Sequence, residues 1–274
     1  MTADGGPEVS IVVVTYRNRD YVLACLRSVA EHVRVSHEVI VVDDGSDDGT
    51  ADAIRQRYPR ARLVAKARNE GLVAGRNTAL DLLNGRLVLM LDADTEVCPQ
   101  AVERLARVLD EQPEVGLVGP KLLYPTGELQ LSCRRYPPFL LPVLRRGPYA
   151  RLNPEPTAHR RHLMMDFDHD TARPVVWLAG AAQMWRADLP KRIGRYDPRV
   201  SSFGGEDLDW SLRVWASGLQ VWYAPEAQIV HVSQKVTRRS PYGRQSRRAV
   251  RDFYYLQFKH WKRRRDPRLA EASR

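Results

Sequence analysis

The chain has 274 residues, 43% of them hydrophobic and 28% charged, a balance that supports a packed core and excludes a disordered or collagen-like polymer. Its net charge of +10 is unevenly placed. From Lys235 to Arg274 there are 14 basic and 3 acidic residues, while the preceding body holds 29 basic and 30 acidic ones.

Residues 9–15 (VSIVVVT) form an apolar, β-branched run too continuous for a strand with one wet face, and predict a strand buried on both sides. Asp20 can cap the helix that follows, with Tyr21, Cys25, Leu26 and Val29 on its apolar face. The alternation then recurs: strand 38–42, helix 50–57, strand 61–65, helix 72–83, strand 86–91, helix 99–109 and strand 115–118. Strands separated by helices imply βαβ units, hence an α/β fold with a mainly parallel sheet flanked by helices. The expected organisation is one domain over 8–235, with a nucleotide-binding half at 8–120 and an acceptor half at 121–235. A basic helical tail follows at 236–274.

Ligands of such sheets bind outside the C-terminal ends of the strands. Polar residues gather there: Thr15-Tyr16-Arg17, Asp43-Asp44-Gly45-Ser46 and Asp92-Ala93-Asp94. Neither GxGxxG nor GxxxxGK[ST] is present, which disfavours dinucleotide and P-loop readings. Asp43 and Asp44 can accept an imide N–H or a ribose hydroxyl, although Asp and Ser also serve simply as loop and cap residues. Asp92 and Asp94, one residue apart at a strand end, can share a hard divalent ion bridging a diphosphate. The three acids of Glu206-Asp207-Leu208-Asp209 suit the first turn of a helix, and one of them is placed to deprotonate a hydroxyl. His231, just after an apolar run, reads as a structural residue or as a third metal ligand beside Asp94.

Taken in order, VSIVVVTYRN, EVIVVDDGSDDGT, NEGLVAGRNTAL, GRLVLMLDADTEV, WLAGAAQMWRAD and GGEDLDWSLRVWASG followed by His231 resemble the family 2 glycosyltransferases of the GT-A fold. The likeness covers about residues 8–235, and DFDHDTARPVVWLAGAA is similar to bacterial rhamnosyltransferase-type members that build cell-surface polysaccharides. The resemblance implies a GT-A fold and an inverting, metal-dependent transfer from a dTDP- or UDP-linked sugar, with Mg²⁺ or Mn²⁺ as cofactor. It places Thr15, Tyr16, Asp43, Asp44 and Arg76 around the nucleotide, Asp92 at the ribose or metal, and Asp94 and His231 on the metal. Asp207 matches the catalytic base, with Glu206 and Asp209 orienting it or the acceptor. Trp177, Gly180 and Ala181 match the segment beside the acceptor pocket. After His231 the chain departs from the family's Gly/Ser-rich loop, and Lys235 and Arg238 are expected on the diphosphate. The acceptor implied is a glycan or a polyprenyl-diphosphate-linked sugar, and the location cytoplasmic, at the inner face of the membrane.

Residues 124–174 carry little periodicity. The segment from Arg134 to Pro142 reads as a surface excursion or an acceptor-side lid, and Asp166, Asp168 and His169 as structural or acceptor-facing. In the tail, residues 242–265 predict a helix. Val250, Phe253, Tyr254, Leu256, Phe258 and Trp261 fall on one side of it, and Arg248, Arg251, Lys259, Lys262 and Arg263 on the other. That apolar side can dock on the body or lie against an anionic membrane. Two other functions compete with transfer: a nucleic-acid module using the basic, aromatic tail, and a silent sugar-nucleotide binder. Acidic strand ends would repel a polynucleotide, so none is expected as a partner. The polar start of the chain lacks a leader pattern, and Cys25, Cys98 and Cys133 fit a reducing compartment.

Overall fold

The computed structural model describes residues 5–144, 157–201, 204–233 and 243–273. Its first half alternates as the hydrophobic pattern requires: β1 (Val9–Thr15), α1 (Arg19–His32), β2 (His37–Asp43), α2 (Thr50–Arg57), β3 (Arg62–Ala65), α3 (Leu72–Leu80) and β4 (Leu87–Asp92). A short β5 (Thr95–Val97), α4 (Ala101–Glu111) and β6 (Val115–Leu123) complete it. All seven residues of β1 are buried. Val9, Ile11 and Val13 face one apolar layer, formed with α1, α2 and α4. Val12 and Val14 face the other, with Val73 and Ala79 of α3. Covering both faces is what permits the unbroken apolar run.

The second half adds β7 (Leu129–Gln130), β8 (Cys133–Arg134), α5 (Leu141–Leu144), α6 (Thr157–His162), β9 (Arg173–Pro174), β10 (Trp177–Leu178), β11 (Ala182–Arg186), α7 (Leu189–Ile193), α8 (Gly205–Ala216) and β12 (Gln220–His231). The main sheet runs β3-β2-β1-β4-β11-β6-β12-β5. It is parallel from β3 through β4 and between β6 and β12, but β11 enters antiparallel between β4 and β6. Strands of the second half therefore lie inside the sheet begun by the first. Two element bounds depart furthest from the sequence expectation. The helix after β3 ends at Leu80 rather than at residue 83. Strand β6 continues to Leu123 because β12 pairs along it.

The tail helix predicted over 242–265 divides at His260 into α9 (Arg244–Lys259) and a 3₁₀ turn (Trp261–Arg265), before α10 (Pro267–Glu271). Its docking face also differs from the predicted one. Asp252, Leu256, Gln257 and His260 are buried, whereas Phe258 and Trp261 are exposed. The contacts explain why. Asp252 accepts from the Ser201 N–H at 2.7 Å, and Gln257 Nε2 donates to the Pro137 carbonyl at 3.0 Å. A polar helix face docks when the body supplies partners for it. No helix among the described residues is long and apolar enough to cross a membrane.

Candidate active site

Parallel registry brings the polar strand ends together. Thr15 lies opposite Asp43 across β1 and β2, and Val14 opposite Asp92 across β1 and β4. Asp43 accepts from the N–H and hydroxyl of Ser46 at 3.1 and 2.5 Å, so it shapes its own loop. Asp44 accepts from the N–H groups of Glu70 and Gly71 at 3.0 and 2.7 Å, and its other oxygen lies 3.1 Å from Lys66 Nζ. These contacts lock the 43–46 loop onto residues 66–71. Gly45 completes the fit: its φ is +81°, and a Cβ would come within 2.5 Å of the Arg68 carbonyl carbon. Thr15 Oγ1 is buried without a hydrogen-bond partner among the described residues, while Tyr16 exposes its ring. Lys235 and Arg238, expected on the diphosphate, lie outside the described residues.

Asp92, Asp94 and His231 converge as the motif order implies, with one ligand atom from each lying within 4.8 Å of the others. Antiparallel pairing of β12 with β5 sets His231 opposite Thr95 and thus beside the Asp92–Asp94 turn. His231 Nε2 is 3.3 Å from Asp94 Oδ1, and Nδ1 donates to Gln130 Oε1 at 2.5 Å. Gln130 therefore fixes the ring so that Nε2 faces the carboxylates, the orienting contact that histidine ligands use. Burial disfavours the imidazolium, but the hydrogen bond with Asp94 and the charges of Asp92 and Asp94 outweigh it and raise the His231 pKa. Burial also pushes Asp92 up to about 6, against the opposite pull of Arg76 and His231. Two carboxylates and an oriented imidazole suit Mg²⁺ or Mn²⁺.

Arg76, expected near the nucleotide, reaches the Asp92 end of β4 from within the protein. Its side chain is 2% exposed and sits beneath a group of acids. Nη1 donates to Asp207 Oδ1 at 2.9 Å and lies 3.5 Å from Glu206 Oε1, while Nη2 reaches Asp92 Oδ1 at 3.2 Å and the Gly180 carbonyl at 3.3 Å. The Tyr196 ring covers the guanidinium at 5.5 Å. The second oxygen of Asp207 accepts from the Gly180 N–H at 2.9 Å. Gly180 is indispensable to this contact, because a Cβ there would lie 1.9 Å from Asp207 Oδ1. Glu206 is buried next to Asp207. Burial, and then the charge of Asp207, raise its pKa well above the ordinary carboxyl value, and its Oε2 has no hydrogen-bond partner among the described residues.

The other acceptor-side expectations divide. Ala181 is buried and its carbonyl accepts from the Asp92 N–H at 2.9 Å, which joins the 177–181 segment to β4. Trp177 is half-buried, and its Nε1 donates to the Arg135 carbonyl at 3.1 Å. Asp209 faces away from the acids it was grouped with. Arg213 holds one oxygen at 2.9 Å, and Lys259 and His260 of the tail hold the other at 2.7 and 2.8 Å. It joins α8 to the tail rather than lining an acceptor pocket. Burial opposes its charge, yet the His260 hydrogen bond with Arg213 and Lys259 holds its pKa below the ordinary value. Lys259, expected on the basic side of the tail helix, also pairs with Asp197 at 2.7 Å. Asp166 pairs with Arg135, Asp168 closes a turn onto the N–H groups of Asp170 and Thr171, and His169 Nε2 bonds the Met164 carbonyl. Each thus makes a contact that holds its own segment in place. Gln130, Lys66 and His260 gave no sequence signal, since their contacts with His231, Asp44 and Asp209 join residues distant in the chain.

The profile described as glycosyl transferase family 2 matches residues 10–154. The N-acetylglucosaminyl-diphospho-decaprenol L-rhamnosyltransferase of Mycobacterium tuberculosis is 27% identical over 244 residues, covering 84% of this chain and 78% of that protein. Among solved structures, GalNAc-T7 with UDP, GalNAc and Mn²⁺ superposes with a TM-score of 0.64 at 16% identity, covering 84% of this chain but only 44% of that one. The mannosyltransferase PcManGT of Pyrobaculum calidifontis, in complex with GDP-Man and Mn²⁺, gives 0.55 at 19% identity, covering 97% and 73%. Fold and motif order thus bear out the resemblance drawn from the sequence, and the chain belongs to glycosyl transferase family 2 as a glycosyltransferase of the GT-A fold.

Proposed function

We propose that the protein transfers a sugar from a nucleoside-diphosphate donor to an acceptor hydroxyl by single displacement with inversion. The observation that carries this reading is the position of Asp92, which belongs to the Asp92–Asp94–His231 donor set and also accepts from the Arg76 that holds Asp207. A leaving-group site and a base are thereby joined through one carboxylate. Mg²⁺ or Mn²⁺ held by Asp92, Asp94 and His231 would neutralise charge on the departing diphosphate. Asp207, fixed by Arg76 and the Gly180 N–H, takes the proton of the acceptor hydroxyl as that oxygen attacks the anomeric carbon. The bond from that carbon to the diphosphate oxygen breaks on the opposite face, and no protein nucleophile takes part. Burial and the charge of Asp207 raise the pKa of Glu206, so it takes up charge less readily and lessens the repulsion on Asp207.

The likeness to an L-rhamnosyltransferase whose name specifies a diphospho-decaprenol acceptor supports rhamnose as the sugar and a polyprenyl-diphosphate-linked glycan as the acceptor. Thr15, Tyr16 and the loop of Asp43 and Asp44 are the residues proposed around a thymine or uracil base. A panel of dTDP- and UDP-linked sugars with purified protein and Mn²⁺, read as nucleotide release, tests the assignment. Release confined to a dTDP- or UDP-rhamnose donor is expected. Failure of every donor to react would overturn it.

A further inference from the structure

The tail and the 137–140 segment jointly expose apolar surface that neither presents alone. Phe258 is 68% exposed, Trp261 58%, Leu140 57% and Phe139 40%. The Phe139 ring packs edge-on against Tyr254 at 5.2 Å and Phe258 at 6.4 Å, so the two segments form one patch. Phe258 and Trp261 also line a surface hollow of about 720 Å³ with Lys262, Arg263 and Arg265. Arg264 lies over Tyr136 at 5.7 Å, extending the basic rim on the side of the 137–140 segment. The one acid lining the hollow, Asp266, is held by Arg268 at 2.8 Å and approached by Arg263 at 3.9 Å. Lys262 and Arg265 form no ion pair among the described residues.

We infer that this patch docks on an anionic lipid bilayer, with Phe139, Leu140, Phe258 and Trp261 entering the interface and Lys262, Arg264 and Arg265 meeting the headgroups. Large exposed aromatics beside an aliphatic residue and within a basic rim have the chemistry of an interfacial anchor. Indole and phenyl rings favour the boundary between headgroup and acyl chain, and each cation near an anionic surface adds to binding. A polynucleotide fits less well. Leu140 offers no stacking face, and Phe139 meets Tyr254 and Phe258 at 62° and 81° rather than forming a parallel platform.

The patch is coupled to the catalytic helix. Lys259 and His260, between Phe258 and Trp261 in the chain, grip Asp209, two residues from Asp207 on α8. Docking would therefore set the orientation of α8 to the lipid surface, as a lipid-borne acceptor requires. That coupling, but not the surface itself, rests on the acceptor proposed above.

Co-sedimentation of the full chain with phosphatidylcholine vesicles, with and without phosphatidylglycerol and with no donor or acceptor present, tests the surface alone. Binding is expected only with phosphatidylglycerol, weakening as salt rises. It should fall about tenfold or more in Phe258→Ser/Trp261→Ser and in Lys262→Glu/Arg265→Glu. Because these side chains are exposed, an unchanged thermal midpoint will show that the variants fold. Three results would overturn the inference: no vesicle binding by the wild type, undiminished binding by Phe258→Ser/Trp261→Ser, or capture of a single-stranded oligonucleotide in preference to vesicles. Vesicle binding combined with failure of lipid-linked acceptors would sink only the acceptor assignment.

Discussion

Arg76 and Asp207 form a buried ion pair at 2.9 Å, with side chains 2% and 6% exposed, linking α3 to the start of α8. The same guanidinium reaches Asp92, so Asp207 and the Asp92–Asp94 turn share one cation. A buried arginine with several carboxylates is held because both terminal nitrogens are paired, and its rigid fork fixes their relative positions. In the proposed mechanism Arg76 is therefore a positioning residue for both halves of the site.

Gly180→Ala should be severe although it adds one methyl group. The new Cβ would lie 2.3 Å from Asp207 Cγ, so the carboxylate must leave both Arg76 and the Gly180 N–H. Transfer is expected to drop by about 10²-fold or more, as for other displaced catalytic groups. Nucleotide affinity should stay near the wild-type value. Equal turnover of variant and wild type in a nucleotide-release assay would contradict the placement.

Glu206 and Asp207 should respond oppositely to amidation. Glu206→Gln keeps the size of a side chain whose charged form burial disfavours, and is expected to retain most activity. The stability effect has a defined sign. The folded-state pKa of Glu206 lies above its ordinary 4.5, so its contribution is fully present below pH 4.5 and is lost as pH rises through the folded value. Glu206→Gln should therefore gain stability on the wild type as pH increases above 4.5. Urea unfolding across pH would show this, and a constant difference would count against a raised pKa.

Much of this was legible in the sequence, and the boundary has a physical cause. The βαβ alternation and the acids at strand ends are local patterns, so β1, β2, β4 and the Asp92–Asp94 turn appeared where expected. The role of Arg76 was hidden because its partners at 92, 180 and 206–207 converge only once β11 enters beside β4. Asp209 was separable in principle. Two helical positions turn the side chain by about 200°, which sets it on the face opposite Asp207. The tail misled for the reverse reason: an apolar stripe identifies the docking face only when the body offers apolar surface, and here it offers Asp209 and the Pro137 carbonyl.

Asp209→Ala should loosen the tail. Removing Asp209 leaves the mostly buried Arg213 without its carboxylate partner, while Lys259 keeps Asp197, at a cost of about 3 kcal/mol. The Asp209 pKa is depressed, so its contribution is present above the ordinary 3.8 and lost as pH falls through the folded value. The gap between variant and wild type should accordingly narrow in acid. Protease sensitivity of residues after 243 provides a second reading, and unchanged cleavage would contradict the tie.

Gln130→Ala should weaken metal binding without removing a ligand. Loss of the contact that orients His231 is expected to reduce Mn²⁺ affinity about 10–100-fold. His231→Ala and Asp94→Asn should cost more. Calorimetric titration of Mn²⁺ into each variant checks the order, and wild-type affinity in Gln130→Ala would exclude the orienting role.

The central claim is that Asp207 removes the acceptor proton while Asp92, Asp94 and His231 serve the donor. Its most direct measurement compares Asp207→Asn with the wild type for Mn²⁺-dependent nucleotide binding and for transfer in the same preparation. Binding should be retained, with transfer reduced by about 10²–10⁴-fold. Near-normal transfer by Asp207→Asn would contradict the account.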